Sequence, residues 1–216
     1  MGRCTFRNLG LLQVIKGRCK IPVFVLIRPR GGDFRYSDLE IQVMRQDIQI
    51  FKAHKADGFV IGALSSTAII NFPRQLIVKY STVRCMSIFL AAFDMCQDPF
   101  IAMETIICLG FERILTSGQE SSVLEGAPLI RSLVEKAHNR IIIMPGGGIN
   151  DRNLERILKE TNAEEFHCSA RSSKNSEMQY QKSSVYMGGV LRAPEFITKS
   201  TDAGMVQRMK EMLDKR

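Results

Sequence analysis

Two rhythms of apolar and polar positions alternate along this chain. Short apolar runs rich in β-branched residues are each followed by stretches with apolar residues three and four apart, a pattern that predicts parallel βα units. The predicted strands are Ile21 to Ile27, Gly58 to Ala63, Cys85 to Ala91, Glu112 to Leu115, Arg140 to Met144 and Glu164 to Cys168. The helices between them carry start and stop signals. Ser37-Asp38-Leu39-Glu40 reads as a capping box, followed by Ile41, Met44, Ile48 and Phe51 on one face. Asp98-Pro99 opens another helix, which Gly110 stops. Leu129, Ile130, Leu133, Val134 and Ala137 form a third stripe. Asn150 or Asp151 opens a fourth helix, with Leu154, Ile157 and Leu158 inward. An N-terminal helix is expected around Leu11 to Lys16. A C-terminal helix, capped by Thr201 or Asp202, is expected through Met205, Met209 and Met212 after a long segment from Ser172. The methionine spacing reads as a packed stripe. Strands recur at the size of one βα unit, which fits either a (β/α) barrel or a doubly wound sheet.

A length of 216 residues with 45% hydrophobic content suits one domain, residues 1–216, with one core. No apolar run approaches the roughly 20 residues needed to cross a bilayer, and the basic start does not continue as a secretory signal. A soluble cytoplasmic protein is expected, the nucleus being the other compartment open to it. The net charge of +8 is dispersed, without five consecutive basic residues or an aromatic stacking motif, so nucleic acid is not the expected partner. The six cysteines, at 4, 19, 85, 96, 108 and 168, show neither zinc-finger nor Cys-x-x-Cys spacing. Cys108 reads as a small buried hydrophobe, and His54 and His138 as surface residues.

In both candidate folds ligands meet the carboxyl ends of the strands, so the following loops carry the candidate chemistry. Pro145-Gly146-Gly147-Gly148-Ile149-Asn150 joins a strand to a helix, and its N–H groups offer a cradle for an anion, with Ser117 of Thr116-Ser117-Gly118 beside it. A tight turn without a ligand is the alternative. Arg28 and Arg30 flank Pro29 and would point the same way from an extended backbone, suiting a carboxylate or phosphate. Asp33 is the alternative partner, giving a structural network. His167 and Cys168 are metal-ligand candidates, and thiolate and imidazole suit Cu(I). Being adjacent on a strand, however, they face opposite ways. Neither a P-loop nor a dinucleotide fingerprint occurs.

Several segments together resemble one family. Pro22 through Arg28-Pro29-Arg30-Gly31-Gly32-Asp33-Phe34, Ala56-Asp57-Gly58, Gly62-Ala63-Leu64, Ala92-Phe93-Asp94, Leu115-Thr116-Ser117-Gly118, Met144-Pro145-Gly146-Gly147-Gly148-Ile149 and Phe166-His167-Cys168-Ser169-Ala170-Arg171 resemble CutC proteins in order and spacing. The resemblance implies a TIM-type (β/α) barrel, a role in copper handling, an intracellular location and a homo-oligomer. It also implies two further strands before the first one read here. Their Glu-Val-Cys-type and Ile-Glu-Leu-Cys-type stretches, with cysteines proposed to bind copper, do not occur in residues 1–20, so an incomplete barrel of six βα units is expected. The family's Phe-His-Arg-Ala-Phe-Asp stretch reads Phe89-Leu90-Ala91-Ala92-Phe93-Asp94 here, removing an imidazole and a guanidinium. Three readings follow. The first is Cu(I) handling through Cys168 and His167. The second is a barrel enzyme or binder for a small phosphorylated or carboxylated metabolite, with Arg28, Arg30, Asp94 and His167 around the glycine cradle. The third is a remnant whose motifs survive as packing.

Overall fold

The computed structural model describes residues 8–71, 74, 78, 86–89, 92–182 and 195–214. The sheet holds β1 (Phe24–Leu26), β2 (Gly58–Ile61), β3 (Met86–Phe89), β4 (Arg113–Thr116) and β5 (Ile142–Pro145). Its order is β1-β2-β3-β4-β5, and every neighbouring pair is parallel. Strands that lie in space as they lie in sequence form an arc of a (β/α) barrel; a doubly wound sheet would reverse its order at a switch point.

The sixth predicted strand is corrected. Glu164 to Cys168 meets the sheet only at one parallel bridge, Gly146 to His167, where the His167 N–H donates to Pro145 at 2.8 Å. The segment is held by a side chain as well, because Arg113 on β4 grips Glu165 through Nε–Oε2 at 2.6 Å and Nη2–Oε1 at 2.8 Å. Two strands were not foreseen. β6 (Arg171–Asn175) and β7 (Ile197–Thr201) pair antiparallel as an exposed ribbon. Cys85, Leu90 and Ala91, at the ends of the third predicted strand, lie outside the described residues.

Side-chain caps open the helices that start at Leu9, Asp38, Pro99 and Ala203. α1 (Leu9–Arg18) starts at Asn8, whose side chain accepts from the Leu11 N–H. α2 (Asp38–Ala53) has the full capping box: Ser37 Oγ accepts from the Glu40 N–H, and Glu40 accepts from the Ser37 N–H at 2.7 Å. Its buried face is Ile41, Met44, Ile48 and Phe51. α3 (Pro99–Cys108) is capped by Asp98, which accepts from Phe100 and Ile101. α4 (Ala127–Ala137) buries Ala127, Ile130, Leu133 and Ala137, with Leu129 and Val134 half-buried against the core. α5 (Leu154–Thr161) begins later than expected, because Asn150–Asn153 form a separate turn in which Asn153 accepts from the Asn150 N–H. α6 (Ala203–Asp214) is capped by Asp202 and buries Met209. No described helix is long and apolar enough to cross a membrane.

One core runs between the helices and the sheet, with Phe59, Phe89, Phe93, Ile114 and Met44 fully enclosed. Cys108 is not part of it. The expectation of a buried thiol fails because α3 is apolar nearly all round, and its last turn presents Cys108 to solvent. His138 is exposed, whereas His54 is half-buried with Nδ1 2.8 Å from the Ile50 carbonyl.

Candidate functional site

The loop after β1 folds upon itself. Arg28 is buried, its Nη2 donates to the Gly32 carbonyl at 2.6 Å, and its guanidinium lies 4.2 Å from the centre of the Phe34 ring. Burial pushes the neighbouring Tyr36 hydroxyl above its ordinary value, against the opposing charge of Arg28. Arg30 is spread over several acceptors: Glu40 at 2.7 Å, the Asp33 carboxylate at 2.9 Å and the carbonyls of Gly31, Asp33 and Arg35. The Arg30 hydrogen bond is the largest influence holding the Asp33 carboxyl below its usual range. The backbone bends here instead of staying extended, so the two arginines do not form the parallel clamp that an extended backbone would give. Arg30 takes the alternative role, ordering its own loop through Asp33.

Asp94 sits in the short 3₁₀ turn Phe93–Met95 after β3 and reaches across to the loop after β4. Its carboxylate accepts from the Thr116 hydroxyl, from the Ser117 N–H at 3.0 Å and from the Gln119 N–H at 3.2 Å. Ser117 Oγ donates to the Glu120 carbonyl at 2.7 Å. The donors of this loop are therefore held by groups of the chain itself. Gln119 adds a second brace, donating from Nε2 to the Cys96 carbonyl at 2.8 Å. Burial, then the Asp94 charge, pushes the Cys96 thiol up to about 11, so it stays protonated at neutral pH.

The glycine turn follows directly. Gly146 continues β5, donating to the Thr116 carbonyl at 2.8 Å, and a Cβ there would meet the Leu115 side chain at 2.6 Å. Gly147 and Gly148 have φ of +118° and +88°, and both are exposed. Gly147 lies against Ser117, and its carbonyl accepts from the Val123 N–H at 3.0 Å. The Gly148 carbonyl accepts from Asn150 Nδ2 at 3.2 Å and Asn153 Nδ2 at 3.0 Å. The turn Asn150–Asn153 thus separates the glycines from the first turn of α5, and the helix dipole is not aimed through them as the sequence suggested. Among the described residues no acceptor meets the Gly147 and Gly148 N–H groups.

His167 and Cys168 diverge, as adjacent residues of an extended segment must. His167 stands over Gly146, where an added Cβ would be 3.5 Å from the His167 Cβ. Its ring reaches solvent, yet desolvation by the surrounding protein, followed by the charge of Arg171, holds it below its ordinary value of 6.5. Cys168 turns to the other side, half-buried, and its Sγ lies 3.8 Å from Sδ of Met209 on α6. Burial raises its pKa. Among the described residues no three His, Cys, Asp or Glu side chains form a group able to hold a metal. The mouth of the sheet therefore brings together Asp94, Ser117, Gly146, Gly147 and His167, while Arg30 spends its donors on its own loop and on Glu40 of α2, and Cys168 faces α6. No motif in the sequence marks Gln119 as a brace of the mouth, and the methionine spacing on α6 is the one signal for Met209 beside Cys168.

The sequential parallel sheet, with its polar loops gathered beyond the carboxyl ends of the strands, defines a TIM-type (β/α) protein. Residues 4–172 match the CutC family, and the chain belongs to it. It is 51% identical over 208 residues to a human protein named copper homeostasis protein cutC homolog, covering 95% of this chain and 75% of that one. A CutC family protein of Parabacteroides distasonis is 47% identical over 192 residues, covering 87% and 77%. The crystal structure of a CutC protein from Streptococcus agalactiae superposes with a TM-score of 0.71 at 34% identity. The superposition covers 74% of this chain and 80% of that one.

Proposed function

We propose that this chain acts in copper homeostasis, taking Cu(I) as cargo on the Cys168 thiolate in the cytoplasm. Its family and the names of its relatives support the class of function. The observation that carries the reading to a residue is the half-buried Cys168 thiol with a thioether beside it. Sulfur donors of low charge fit a soft monovalent ion. A raised thiol pKa keeps the free site protonated, so each Cu(I) bound displaces one proton. His167, the other candidate ligand, extends to the opposite side and does not complete this donor set. Anaerobic competition against a chromogenic Cu(I) chelator tests the reading, with Cys168→Ser alongside. One stoichiometric site that disappears in the variant is expected. Equal, weak binding by both forms would sink the proposal. A homo-oligomer is proposed from the family alone, and sedimentation of the full chain checks it.

A second reading is favoured by the N–H groups of Gly147 and Gly148, which meet no acceptor among the described residues and follow Gly146, over which His167 stands. It assigns this mouth to the anionic end of a small phosphorylated or carboxylated metabolite. Millimolar inorganic phosphate should then raise the melting temperature of the protein but not of Gly147→Ala, in which a Cβ at φ +118° distorts the turn. Identical shifts in both forms would remove this reading.

A further inference from the structure

A second sulfur stands beside the proposed Cu(I) ligand, and it comes from a part of the chain that the family match does not reach. Met209 lies beyond residues 4–172. It is the buried residue of α6, 3% exposed, although this helix is otherwise half-buried or exposed along its length. Its Sδ meets Cys168 Sγ at 3.8 Å. Met205 and Met212 stand four residues before and three after it, on the same helix face, and both pack against the core. Polar groups of the same helix are engaged elsewhere: Asp202 caps it through the Met205 N–H, and Arg208 pairs with Asp151 at 2.7 Å. A methionine stripe that only filled space would work equally well with its sulfurs away from the thiol.

We infer that Cys168 and Met209 form a mixed thiolate and thioether clamp that selects monovalent Cu(I), or its analogue Ag(I), over Zn(II), and that metal binding fastens α6 to the end of the sheet. The inference rests on the reading of Cys168 as the Cu(I) ligand. Selectivity follows from the donors. One thiolate with thioether sulfur satisfies a soft monovalent ion, whereas Zn(II) forms stable sites with four nitrogen, oxygen or thiolate ligands and gains little from a thioether. The coupling follows from the topology. Cys168 belongs to the segment bridged to β5, and Met209 belongs to a helix that follows the exposed strand β7 in the chain. An ion shared between the two sulfurs adds its binding free energy to the docking of that helix.

The experiment is the same anaerobic competition on the full chain, extended to Met209→Leu and to Ag(I) and Zn(II). Leucine keeps the volume and the apolar contact while removing the sulfur. An affinity for Cu(I) and Ag(I) lowered about tenfold or more in Met209→Leu, with Zn(II) bound weakly by every form, supports the clamp. Hydrogen exchange in residues 203–214 should slow when Cu(I) is added to the wild-type protein. Copper X-ray absorption of the loaded wild type provides a readout without substitution: at least two sulfur neighbours are expected, and one sulfur with nitrogen or oxygen overturns the clamp. Wild-type affinity in Met209→Leu, combined with loss in Cys168→Ser, overturns the clamp and leaves the copper reading standing. Cys168→Ser binding as well as wild type removes both.

Discussion

At the scale of single residues, Asp94 is the most heavily used side chain of the mouth. Its one carboxylate accepts from the Thr116 hydroxyl and from two backbone N–H groups, so Asp94→Ala strands three donors together. A loss of about 3 kcal/mol is expected in urea denaturation, on the scale of a few hydrogen bonds to a charged group. Gly118→Ala should also destabilise. Its φ is +77° and a Cβ would fall 2.3 Å from the Gly126 carbonyl oxygen, where the loop crosses the start of α4. The cost is more than about 1 kcal/mol, again read from denaturation. His167 ties stability to pH. Its folded value is lowered, so as pH falls the unfolded chain takes up the proton first. The contribution is present above the ordinary value of 6.5 and is lost as pH falls through the lowered folded value. His167→Gln should flatten that part of the stability profile, and an unchanged profile would mean that other groups cause it. The pairing of Arg30 with Asp33 was legible because complementary charges stand three positions apart. The partner of Cys168 was not, because 41 residues separate the two sulfurs and no periodicity spans that gap.

At the scale of elements, legibility followed the capping chemistry. Ser37, Asp98 and Asp202 announce helices because their side chains accept the N–H groups that a first turn leaves free. The interiors were legible wherever one face was apolar and the other polar, as in α2 and α5, and failed in α3, where the apolar residues leave no contrast to locate Cys108. The ribbon escaped detection because Arg171-Ser172-Ser173-Lys174-Asn175 has no apolar alternation, and its partner strand lies more than twenty residues on. With both strands exposed, its amides should exchange much faster than those of β2 and β4. Equal protection would show that the ribbon is covered in solution. Glu164 to Cys168 read as a strand because of its position in the repeat, yet it meets the sheet through one backbone bridge and the Arg113–Glu165 pair. That pair is partly exposed, so a double-mutant cycle with Arg113→Met and Glu165→Gln should give a coupling of about 1 kcal/mol or less, decreasing with salt.

For the whole molecule, the unit-by-unit alternation of strand and helix was enough to predict a parallel βα sheet, and the order β1-β2-β3-β4-β5 decided between the two architectures that alternation allows. Among the described residues β1 pairs only with β2, and Ile21, three residues before it, is 67% exposed. An open edge beside apolar surface favours association, so Ile21→Lys should lower the apparent mass in concentrated solution, as read by sedimentation. The same sequential order bears on how the molecule is made. Each strand needs only its predecessor to complete a pairing, so loop closures stay short and a chain emerging from the ribosome extends its sheet one unit at a time. The ribbon and α6 follow the sheet in the chain. Cys168 therefore emerges before Met209, and during synthesis its thiol stands uncovered until α6 arrives.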